Sequence, residues 1–177
     1  MFVKKLKLSA GQVIPKHEGD HPKEFAASDL NMMLAFQVNC PGCFIHSLPF
    51  MNRLHERYAK QGVNVFALST AFEEFDLNTV EATRKLVQKG EVFGATRRAL
   101  GCDVYDEELV FDVVTDIGIP ASATKAHPAG GETFKRNMFR GTPTFVVFDG
   151  DFNIKMEWFG HQDPRLVEAK MDKLVKA

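Results

Sequence analysis

Cys40-Pro41-Gly42-Cys43 constrains this chain most, because the quartet stands where a strand-length apolar run gives way to a helical pattern. Upstream lies Met32-Met33-Leu34-Ala35-Phe36-Gln37-Val38, and downstream a helical periodicity runs from Phe44 to about Lys60. A cysteine in the first turn of a helix meets unpaired backbone N–H groups and the positive end of the helix dipole. Both favour the thiolate, so the pKa of Cys40 is expected to fall. Cys43 follows one turn later, within reach of a mixed disulfide formed on Cys40. The spacing points to reversible dithiol–disulfide exchange, with Cys40 attacking, Cys43 resolving, and Pro41 and Gly42 shaping the turn between them.

A second element lies far away in the chain. Arg140-Gly141-Thr142-Pro143-Thr144-Phe145-Val146-Val147-Phe148-Asp149-Gly150 reads as a loop, a proline at the start of a strand, and a turn into the next strand. Proline is disfavoured inside a buried sheet strand and tolerated at its first residue. A cis Thr142–Pro143 bond is expected, exposing the Thr142 backbone beside the cysteines.

Between these elements the pattern alternates. Gly62 to Ser69 is a strand, giving a β-α-β unit with parallel strands around the cysteine helix. Ala71 to Asn78 is a loop at its carboxyl end, the edge where ligands approach open α/β sheets. Val80, Thr83, Leu86 and Val87 place a helix over 78–89 that Gly90 ends, and Glu91 to Leu100 adds further helix before Gly101. Residues 111–116 form a short strand, and 119–131, with Pro120, Pro128 and a glycine pair, a mobile loop. Gln12 to Glu24, rich in Pro, His, Gly and charge, is also read as a loop.

Taken together, the chain resembles the thioredoxin superfamily. The residues that carry the resemblance are the strand before Cys40, the Cys-Pro-Gly-Cys motif, the helix with Pro49, and Gly141-Thr142-Pro143-Thr144 ahead of an apolar strand. The turn at Asp149-Gly150, Gly160 after the strand containing Trp158, and an amphipathic helix from about Asp163 agree. The likeness covers roughly residues 25–177. It implies an α/β thioredoxin-like fold over 1–177 as a single domain, with a mixed central sheet flanked by helices. Cys43 and Pro143 stand 100 positions apart, which resembles the redoxin group of TlpA-like thiol-disulfide oxidoreductases and peroxiredoxins. That group implies an N-terminal extension near Val3 to Ala27 and an insertion, here approximately 77–131, before the proline loop. It also implies that Thr142 and Pro143 form a platform for a substrate disulfide, with no cofactor and a separate electron donor. The substrate is then a disulfide-containing protein or a small thiol compound.

Three positions depart from the pattern. Asn39 stands where many relatives carry Trp. No carboxylate occurs between Asp29 and Cys43 to match the buried acid that would fall near Leu34, so water or another residue must handle the proton. Gln37 occupies the place of a peroxidatic threonine, which weakens the alternative reading as a peroxide reductase.

A non-enzymatic alternative is a module whose cysteines hold metal or whose surface docks a partner. A tetrahedral zinc site needs two more ligands, available only from Cys102 and scattered histidines, and no second paired motif exists. His46 is read as a partly exposed helix residue that can support a thiolate, His161 as a surface residue, and Trp158 as core. Cys102, among Asp103, Asp106, Glu107 and Glu108, reads as a bystander in an accessible loop.

The net charge of −1 offers no field to recruit nucleic acid or a membrane surface. Three cysteines are too few for a secreted disulfide scaffold. Met1-Phe2-Val3-Lys4-Lys5-Leu6-Lys7-Leu8 lacks an apolar stretch of signal-peptide length, so a cytoplasmic location is expected, or an exported one if a leader has been removed.

Overall fold

The computed structural model describes residues 3–177, so Met1 and Phe2 of the basic N-terminal stretch lie outside the described residues. Among the described residues, seven strands join in one sheet. They are β1 (Ala10–Val13), β2 (Lys23–Glu24), β3 (Leu30–Phe36), β4 (Val63–Ser69), β5 (Asp112–Asp116), β6 (Thr144–Asp149) and β7 (Ile154–Phe159). Their order across the sheet is β2-β1-β5-β4-β3-β6-β7. β3, β4 and β5 run parallel, while β6, β7, β1 and β2 pair antiparallel with their neighbours, so the sheet is mixed.

β3 is central and covered on both faces, which is why its sequence is a continuous apolar run rather than an alternation. Met32, Leu34 and Phe36 point into one apolar cluster and Met33 and Ala35 into the other. The first cluster is closed by α1 (Leu48–Tyr58) and α5 (Pro164–Val175). Leu48, Met51, Leu54 and Tyr58 form the buried face of α1, and Val167 and Met171 that of α5. An ion cluster fastens the two helices. Arg53 and Arg57 each reach the buried Glu168 carboxylate at 2.7 Å, and the Tyr58 hydroxyl donates to Asp172 at 2.7 Å.

Residues 77–131 contribute α2 (Val80–Lys89), α3 (Gly94–Leu100), β5 and a 3-10 turn at Ala123–Lys125. Thr79 caps α2, its side chain accepting the Ala82 N–H at 3.0 Å, and Gly90 ends it in the left-handed region at φ 69°.

The structure corrects the expectations in three places. β3 ends at Phe36 rather than continuing to Val38, and beyond it the Gln37 side chain and the Asn39 N–H bond to the loop that follows β4. The stretch 12–24 is not all loop. Gln12 and Val13 belong to β1 and pair with Glu24 and Lys23, leaving the Pro-, His- and Gly-containing residues as the connection. Finally, the 119–131 loop leads into α4 (Glu132–Asn137), which is too short to show a helical period. Its first N–H groups are satisfied from 16 positions upstream of its start: the Asp116 carboxylate accepts from Thr133 at 2.8 Å and Phe134 at 3.2 Å.

Candidate functional site

Cys40 occupies the place of an N-cap. Its carbonyl accepts the Cys43 N–H at 3.0 Å, and the helical turn opens on Pro41, whose missing N–H costs nothing at a first helical position. Gly42 has an ordinary helical φ of −62°, and a Cβ there would meet nothing within 4 Å. Its contribution is therefore an unobstructed surface beside Cys40 rather than backbone freedom.

The two thiols differ in the way exchange chemistry requires. Cys40 is half-buried, and the Cys43 thiol, followed by the Thr142 side chain and the Cys43 N–H, brings its pKa down to about 6 against the opposing pull of burial and of Glu73. Cys43 is fully buried, and burial, reinforced by the neighbouring Cys40, pushes its thiol well above the ordinary value. Cys40 is therefore the more acidic and more accessible thiol, and Cys43 the buried and protonated one.

After Cys43 the helix is irregular. Residues Cys43–Ser47 form a π turn in which the Leu48 N–H reaches back to the Cys43 carbonyl. In that register the donor for the Phe44 carbonyl would be Pro49, which has no N–H. Tyr105 supplies it, its hydroxyl donating to the Phe44 carbonyl at 2.9 Å while its ring meets Phe44 edge-on at 5.1 Å. A proline inside a helix disturbs its hydrogen bonding. The disturbance is a π turn capped from a distant loop, a partner no local pattern reveals.

The proline loop lies against the cysteines. The Thr142–Pro143 peptide is cis, and the Cys40 thiol donates to the Thr142 carbonyl at 3.6 Å. The loop is held by the Thr144 hydroxyl, which donates to the Gly141 carbonyl at 2.7 Å, and by the Gly160 N–H, which donates to the Pro143 carbonyl at 2.9 Å. Cys40, Cys43, Thr142 and Pro143, 100 positions apart in the chain, thus form one site.

Other singled-out residues fall elsewhere. Gln37 is buried, and its side-chain oxygen accepts the Phe72 N–H at 2.9 Å, fixing the loop after β4 rather than facing solvent. His46 and His161 are both exposed, with ring centroids 5.4 Å apart, a pairing invisible in the sequence. Cys102 is exposed, and Trp158 is buried and stacked on Phe145 at 4.7 Å. Among the described residues no three His, Cys, Asp or Glu side chains gather as a metal site, and no helix is long and apolar enough to cross a membrane. Besides Tyr105, sequence reasoning misses Glu73, whose charge acts on Cys40 from the loop following β4. The only sequence signal for it is its place at the carboxyl edge of the sheet.

No protein-family model and no curated protein matches the chain in sequence. Solved structures do match in shape. A thioredoxin-like superfamily protein superposes with a TM-score of 0.68 at 20% identity, over 99% of this chain and 98% of the other. A thiol-disulfide isomerase from Corynebacterium glutamicum gives 0.68 at 22% identity, over 99% and 97%. StoA from Bacillus subtilis gives 0.52 at 12% identity, over 91% and 96%. With its mixed sheet, its cysteine pair opening a helix and its facing cis-proline loop, the chain has the thioredoxin-like fold.

Proposed function

We propose that the protein is a thiol-disulfide oxidoreductase that reduces protein disulfides through the Cys40/Cys43 dithiol. The observation that carries this reading is the asymmetry of the pair. One thiol is half-exposed and acidic at a helix start, and the other is buried and held protonated one turn later.

The Cys40 thiolate attacks one sulfur of the substrate disulfide. A Cys40–substrate S–S bond forms, the substrate S–S bond breaks, and one substrate thiolate leaves. Cys43 then attacks the Cys40 sulfur, its proton ending on a released substrate thiol. The products are a Cys40–Cys43 disulfide and a fully reduced substrate, a two-electron transfer that a separate dithiol donor reverses. Thr142 and Pro143 bound the surface on which the substrate's extended segment would lie, and the uncluttered surface at Gly42 leaves room for it.

Turbidimetric reduction of insulin with dithiothreitol as donor tests the proposal. Catalysis by the native protein and none by Cys40→Ser is expected. A native protein no faster than dithiothreitol alone would overturn it.

A further inference from the structure

Asn39, the residue immediately before Cys40, is a meeting point of three segments. The residue is buried, only 5% exposed. Its Oδ1 accepts the Ala95 N–H at 2.5 Å in the first turn of α3, a helix whose own N-cap, Phe93, provides no side-chain bond. Its Nδ2 donates to the Glu74 carboxylate. Its backbone N–H donates to Asn78 Oδ1 at 2.9 Å, and Asn78 in turn donates to the carbonyl of Glu73 at 3.0 Å.

The amide uses a donor and an acceptor on different partners, so neither an aspartate nor an apolar side chain of the same size can replace it. The space around it is equally demanding. A Cβ on Gly94, which stands at φ +51°, would lie 2.3 Å from Asn39 Oδ1. One residue earlier, the Val38 carbonyl accepts the Thr96 hydroxyl at 2.8 Å. The backbone leading into the nucleophile is therefore clamped by α3 and by the acidic loop 73–78, not by the sheet.

We infer that Asn39 is a positioning residue for Cys40: it locks α3 and the 73–78 loop onto the backbone ahead of the nucleophile, so that the Cys40 sulfur stays over the Cys43 N–H and beside Thr142. The inference rests on the reading of Cys40 as the attacking thiolate. Loosening the clamp lets the sulfur leave the groups that favour its anion.

The test is the pH profile of Cys40 alkylation by iodoacetamide in a reduced Cys102→Ser background, with thermal melting measured alongside. Asn39→Asp keeps the acceptor for Ala95 but sets a second carboxylate against Glu74. It is expected to raise the half-point of the profile by about one pH unit, tenfold in thiolate fraction below it. Asn39→Asp/Glu74→Gln restores both hydrogen bonds with the polarity of one exchanged, at the native count of charges. It is expected to recover most of the native profile, which the charge at position 39 alone does not allow. If the single variant does not fold, Asn78→Ala is expected to displace the half-point in the same direction.

A half-point unmoved in the folded single variant, or in Asn78→Ala, overturns the proposal. So does a double variant displaced as far as the single one, or a lowered melting temperature with an unchanged profile. The profile needs no turnover. A native protein inactive on insulin would sink the proposed function while leaving this result to be read on its own.

Discussion

If Cys40 is the acidic nucleophile, its reactivity relative to a small thiol must reverse sign across the pH range. Its neighbours bring its pKa down to about 6, about 2.5 units below a free thiol near 8.5. At pH 7 Cys40 is then about 90% thiolate and the free thiol about 3%, a roughly 30-fold difference in the reacting form. The acidic thiolate is also the weaker nucleophile. With a Brønsted slope of about 0.4–0.5, each Cys40 thiolate reacts about 13-fold more slowly than the free one. The product of the two effects is a rate about 2-fold above the free thiol at pH 7, about 20-fold above it at pH 5 and about 10-fold below it at pH 9. Stopped-flow reaction of the reduced Cys102→Ser protein with a small aromatic disulfide, beside N-acetylcysteine, measures all three points. Removing Cys43 instead would spoil the comparison, because its thiol is the largest cause of the low Cys40 value. A rate that stays parallel to the small thiol from pH 5 to pH 9 would refute the electrostatic argument, as would alkylation at Cys43 first.

Cys43→Ser is expected to trap a mixed disulfide between Cys40 and substrate, visible on a non-reducing gel, whereas Cys40→Ser traps none. Tyr105→Phe leaves the Phe44 carbonyl without its donor, at a cost of about 1–3 kcal/mol. For a chain of this size that lowers the melting temperature by about 2–4 °C per kcal/mol. In Gly131→Ala the new methyl group would stand 2.1 Å from Thr70 Oγ1 and 2.2 Å from Asp116 Oδ2, an overpacking worth about 1–3 kcal/mol or more in the same melt. Because the folded-state pKa of Cys40 lies below the ordinary thiol value, the stability its thiolate adds to the reduced protein is complete above pH of about 8.5 and is lost as pH falls through about 6. Melting the reduced protein across that window should show it, and the Cys40→Ser variant should not. With the Gln37 side chain occupied by the Phe72 N–H, Cys40 is expected to react with hydrogen peroxide no faster than its pKa explains. A rate far above that of a thiolate of equal pKa would favour the peroxide reductase reading.

The parts of the fold legible in the sequence are those that local chemistry determines. The strands 63–69 and 112–116 were expected within a residue or two, as was helix 80–89. A run of apolar residues, a capping Thr79 and a terminating Gly90 each act over a few positions. α4 was not legible because it holds six residues and owes its first turn to Asp116, a side chain on another element. The hairpin of β1 and β2 was hidden for the same reason. Its two-residue partner, Lys23–Glu24, is exposed and charged and is a strand only because β1 offers it an edge.

The site divides along the same line. Cys40 and Cys43 announce themselves by spacing and by the strand-to-helix junction, and Thr142-Pro143 by a proline ahead of an apolar run. Their supports do not. Asn39 and Gln37 read as anomalies in the sequence, positions where an expected residue is absent, and in the folded protein both are buried amides with specific partners in the loop that follows β4. Tyr105 reads as an unremarked aromatic in an acidic stretch, yet it completes the turn that holds Cys43. The chemistry is therefore written in the motif and the proline loop, which hold the groups that make Cys40 acidic, while residues 72–105 fix the backbone on either side of the pair.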